Sequence, residues 1–131
     1  MSDTKKELEE QCRWIAEKAN ELACDKLYDT ETGEMIDKDD LENPYDYDEE
    51  RYQSLSSYIM DNLGVKIITD LDGGDYYGAE ICMAWGGPNI YIETRDSYVR
   101  GYWGFDEVSV PLSYHARDAI DEIIDELRSC Y

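Results

Sequence analysis

The chain has 131 residues, with 32 Asp and Glu against 12 Lys and Arg, and a formal net charge of -20. That charge weighs against nucleic acid and anionic lipid as partners and favours a basic one. The 42% hydrophobic content, with 12 Tyr and 3 Trp, weighs against a disordered acidic tail, because there is enough apolar material for one core and one domain spanning 1–131.

The first element reads as a helix. Thr4 is the expected N-cap, with Glu7 at the capping-box spacing. Leu8, Cys12, Ile15, Ala19, Leu22 and Ala23 recur every three or four residues as one apolar stripe. Trp14 falls at the edge of that stripe, while Lys6, Arg13 and Lys18 join the glutamates of the polar face.

Residues 26–50 change character. They hold 11 acids and two bases, and read as an acidic loop, ordered or partly so. Thr30-Glu31-Thr32-Gly33 reads as a turn that Leu27-Tyr28 and Met35-Ile36 flank as a small hairpin. Asn43-Pro44 marks a break.

A second helix is expected over about 48–62, with Tyr52, Leu55, Ile59 and Leu63 as its stripe and Gly64 as its terminator. The period then changes to that of strands. Val65–Thr69, Tyr77–Met83, Asn89–Thr94, Tyr98–Trp103 and Glu107–Leu112 read as an antiparallel meander of four or five strands. Asp72–Asp75, Gly86–Pro88 and Arg95–Ser97 are its turns. Ser113 then caps a last helix whose buried face is Ala116, Ile120, Ile123, Ile124 and Leu127. The expected fold class is α+β, with helices on one face of the meander.

No apolar run reaches the length of a spanning helix, and the stretch from Met1 to Glu7 lacks the core of a signal peptide. The expected location is cytoplasmic. Cys12, Cys24, Cys82 and Cys130 form no C-x-x-C pair, and His115 is the single histidine. Zinc is therefore not expected, and the thiols read as small buried hydrophobes. His115 alone cannot supply a nucleophilic triad. No phosphate-cradling glycine motif occurs. A calcium loop begun at Asp37 places Leu41 and Glu42 where an acid and a glycine are required. The reading is a non-enzyme without cofactor or metal, a small hydrolase being the weakest alternative.

The constellation that remains is the acid itself. Asp37, Asp39, Asp40, Glu42, Asp46, Asp48, Glu49 and Glu50 are interleaved with Tyr45 and Tyr47. Carboxylates accept bidentate hydrogen bonds from arginine as phosphates do, and tyrosine rings stack on guanidinium planes. These ten residues are the expected partner-binding set. The main alternative is a binding module that uses an aromatic sheet face of Trp85, Tyr91, Tyr98, Tyr102 and Trp103.

In length, charge and the acid-tyrosine segment 37–52, the chain resembles the small acidic inhibitors of phages and mobile elements, the anti-CRISPR and anti-restriction proteins that imitate nucleic acid. The segment from Ile81 to Thr94, with Gly101-Tyr102-Trp103-Gly104, looks like the strand-turn-strand of small phage-encoded domains. The resemblance implies an inhibitor in a bacterial host. Its partner would be a basic nucleic-acid-binding protein, a CRISPR effector or restriction complex whose lysines and arginines normally hold DNA or RNA.

Overall fold

The computed structural model describes residues 3–61, 64–71 and 74–129. It has an α+β fold with N- and C-terminal helices and two antiparallel sheets.

Helix α1, Asp3–Leu22, follows its apolar stripe: Leu8, Cys12, Ile15, Ala16, Ala19 and Leu22 are all buried. Thr4 is already inside the helix, which includes Asp3, so it is not the cap. Lys18 departs from the expected polar face and is buried.

The acidic segment is more structured than a loop. Strands β1, Lys26–Asp29, and β2, Glu34–Asp37, form the expected hairpin, with Leu27 opposite Ile36. Gly33 takes φ +75° in the turn, a conformation glycine adopts without steric cost. A third strand, β3, Tyr52–Gln53, pairs on the other side of β1 and completes a sheet ordered β2-β1-β3.

That third strand shortens the second helix. Helix α2 covers only Leu55–Met60, and Ser54 caps it by accepting a hydrogen bond from the Ser57 amide. Residues 48–53, expected to be helical, form a turn and then pair with β1. Leu55 and Ile59 are buried as expected, whereas Tyr52 sits on β3. Gly64 opens the next strand instead of ending the helix. Leu63, Asp72 and Gly73 lie outside the described residues.

The larger sheet is a five-stranded meander: β4 Gly64–Thr69, β5 Tyr76–Ala84, β6 Asn89–Glu93, β7 Tyr98–Trp103 and β8 Asp106–Pro111, in that spatial order. Alternation decides its faces. Ile81, Ile90, Ile92, Val99, Val108 and Val110 point into the core. Helix α1 crosses β7 and β8 on that face, and α3, Tyr114–Arg128, contacts β5 and α1. Ser113 caps α3 as expected, accepting from the Ala116 amide and donating to Asn20 Oδ1 at 2.6 Å. Ala116, Ile120 and Ile124 are buried, whereas Ile123 and Leu127 are half-buried. Tyr76 anchors the helix to β5 by donating to Asp121 Oδ1 at 2.6 Å.

Candidate acidic interaction surface

The ten expected partner-binding residues fall on one connected stretch. Asp37 ends β2, Asp39 and Asp40 lie on a single 3-10 turn, and the others follow before β3. Because β2 and β3 flank β1, the small sheet holds both ends of the stretch. All eight carboxylates are exposed. Tyr45 is 92% exposed. Tyr47 is half-buried, edge-on to Tyr52 with centroids 6.3 Å apart. Residues Tyr45 to Glu50 line a shallow concavity of about 490 Å³.

None of these eight carboxylates is in an ion pair among the described residues. The Asp48 carboxylate accepts the Glu50 amide at 3.0 Å and so shapes its own turn. Arginines pair elsewhere, for example Arg13 with Glu9, Arg100 with Glu93, and Arg117 with Asp118. Lys38 lies over the Tyr47 ring at 6.0 Å. Acids also line the outward surfaces of α1 and α3, so the loop is one acidic surface among others. It is set apart by unpaired charge interleaved with tyrosine.

A clamp that the sequence reading did not find fixes the loop. Arg51, just before β3, donates from Nε to Asp29 Oδ1 at 3.1 Å and from Nη2 to Oδ2 at 3.0 Å. It also reaches Glu31 at 3.3 Å. Its backbone carbonyl accepts from the Thr30 amide at 2.9 Å and the Thr30 hydroxyl at 2.8 Å. Planar bidentate pairing of this kind is directional as well as strong. The Arg51 guanidinium holds the Asp29 carboxyl down at about 2, and the Glu31 amide adds to the effect. Asp29 is almost inaccessible to solvent.

The folded value lies below the ordinary 3.8. The stabilisation is therefore complete above about pH 4 and lost as the pH falls towards 2. Asp29→Asn should flatten that part of the urea-midpoint profile. It should also raise amide exchange in 38–50, measured by hydrogen exchange.

The second unexpected feature is Lys18, only 7% exposed. Its ammonium lies 4.9 Å from the Trp14 ring centroid, 4.0 Å from that of Tyr28 and 4.3 Å from that of Tyr58. Burial pushes it down to about 8. Three ring faces act in the opposite sense, because their quadrupoles favour the cation. With Lys18 held at about 8, the unfolded chain binds more protons than the folded one between about pH 8 and 10.5. Across that window the protein should gain up to roughly 3 kcal/mol relative to Lys18→Met, read from paired urea titrations.

The aromatic sheet face is smaller than expected. Tyr91, Tyr98 and Tyr102 do share the face opposite the helices, and Tyr91 and Tyr102 meet edge-on at 6.3 Å. Trp103 alternates inward and packs on the core, while Trp85 lies beyond β5 and is 69% exposed. Arg100 Nε lies 2.8 Å from Glu93 Oε2. Neither atom has a hydrogen-bond partner among the described residues, so the contact is ionic. Burial raises the Glu93 carboxyl against the pull of Arg100.

His115 is exposed, and its Nε2 sits 2.9 Å from the Ala23 carbonyl, tying α3 to the end of α1. Cys12 is buried and Cys82 half-buried, but Cys24 is exposed, contrary to its expected burial. Cys130 lies outside the described residues. Among the described residues no group of three His, Cys, Asp or Glu side chains is placed to hold a metal, and no helix is long and apolar enough to cross a membrane. Comparison with protein-family models, curated proteins and solved structures yields no match to the chain.

Proposed function

We propose that the protein is a non-enzymatic inhibitor that imitates nucleic acid and occupies the basic DNA- or RNA-binding channel of a host defence complex, acting in the cytoplasm of a bacterial cell. One observation carries the reading: eight exposed carboxylates, none in an ion pair among the described residues, stand on one stretch held at both ends by a sheet. A folded protein keeps such charge only against its own repulsion. An arginine-lined channel relieves that repulsion and accepts carboxylates in place of phosphates. Tyr45, exposed, and Tyr47, braced by Tyr52, supply rings for guanidinium stacking.

The second reading, a module that binds protein through the sheet, rests on the three tyrosines of the outer face. One experiment separates the two. A CRISPR- or restriction-bearing lysate is passed over immobilised protein, and duplex DNA and salt are titrated against whatever is retained. Nucleic-acid imitation requires that DNA displace the retained complex and that rising salt release it steeply. Retention indifferent to both sinks the imitation and leaves the tyrosine face.

A further inference from the structure

Apart from the acidic stretch, the chain has a groove where the inner face of the large sheet runs out from under its helices. Ile15 of α1 and Met83, Ala84 and Ile90 at the β5–β6 end line it. Trp14 and Tyr58 border it, and its volume is about 560 Å³. Trp14 is 51% exposed, so aromatic surface stands open beside apolar neighbours. The rim is acidic. Glu7 and Glu10, one helical turn apart on α1, are exposed and in no ion pair among the described residues.

An open cleft of this kind, between helix flanks and the end of a sheet, takes the apolar face of an added helix. Its rim decides the chemistry. A second copy of the chain would bring like-charged rims together at a net charge of -20 per copy. A cationic helix meets the opposite sign. We propose that this groove docks a basic amphipathic helix of a partner protein, with leucine-like side chains against Ile15, Met83 and Trp14, and lysines or arginines facing Glu7 and Glu10. The inference does not depend on the acidic loop.

The probe is a short synthetic helix of leucine and lysine. Its controls are the same helix with glutamate for lysine, and with serine for leucine. Binding is followed by NMR through the Met83 methyl and the Trp14 indole. The expected result is saturable binding of the Leu/Lys helix alone, with shifts confined to the groove. Glu7→Lys with Glu10→Lys, both at exposed positions, should weaken it at least tenfold. Reversal of Asp39, Asp40, Asp46 and Glu49 should change it less than twofold. Trp14→Ala should weaken binding, whereas Trp14→Phe, followed through the Met83 methyl, should retain it, which separates loss of the ring from loss of the fold. Several results would overturn the proposal: no binding; equal binding of the glutamate helix; equal binding of the serine helix, with shifts spread over 37–50; or concentration-dependent shifts without any probe, which would assign the groove to a second copy.

Discussion

Gly101→Val is expected to unfold at a temperature about 10 °C below the native protein, a loss of roughly 2–3 kcal/mol. Gly101 lies on β7, between Ile90 of β6 and Val108 of β8, facing Leu8 and Cys12 of α1. A Cβ there would stand 2.7 Å from both Cys12 Sγ and Leu8 Cδ1. Leu8 and Cys12 are fully buried, so neither can swing into solvent, and the helix itself must rise. Valine's preference for strands offsets up to about 1 kcal/mol of this cost. The loss is a large share of a total stability of about 5–15 kcal/mol. Leu8→Ala alone should cost about 2–5 kcal/mol through the space it empties. In the double variant the valine methyls enter that space, so the combined loss should fall at least about 1 kcal/mol short of the sum. Additive losses would mean that α1 and β7 do not meet at these two positions.

The residues that make this contact also show what the sequence discloses. Leu8 and Cys12 repeat at helical spacing, so α1 and its buried face follow from period alone. Strand β7 is legible as a strand, but the sequence reading groups Trp103 with Tyr98 and Tyr102, whereas alternation sends it to the opposite, core-facing side. The antiparallel meander, expected with four or five strands, was legible from period as well, and the small hairpin and the Ser113 cap from turn and capping chemistry. What period cannot show is a partner distant in sequence. Asp29 and Arg51 are separated by 22 positions, and their clamp makes a strand of Tyr52–Gln53, where local pattern favours a helix. Lys18 reads as solvent-facing because lysine usually is. Its burial depends on Tyr28 from the hairpin and Tyr58 from α2 arriving beside Trp14, and only the Trp14–Lys18 spacing lies within one helix. The acid-tyrosine set was legible as composition, but the absence of ion pairs along it depends on where the arginines go.

That absence leads to the largest expected effect on binding. On the proposed function, reversal of Asp39, Asp40, Asp46 and Glu49 to Lys is expected to weaken binding to the proposed basic nucleic-acid-binding partner about 100-fold or more near 0.1 M salt. Asp48 is excluded because its carboxylate holds the Glu50 amide, so its loss would mix turn stability with charge. Each reversal removes two units of negative charge, which moves the net from -20 to -12. Self-repulsion falls with it, so the variant that binds worse should fold slightly better. Its urea midpoint should rise at low salt, and the difference should vanish near 1 M, where the screening length is about 3 Å. The opposed signs are the discriminating feature. A stretch that serves only solubility would gain stability without losing a partner, and a stretch needed for the fold would lose both. A tyrosine-face interface would leave affinity intact in this variant and lose it in Tyr91→Ala with Tyr102→Ala. Docking of the acidic stretch on a cationic surface, as the proposed function has it, requires binding to fall while stability climbs, because repulsion within the free protein is what such a surface would relieve.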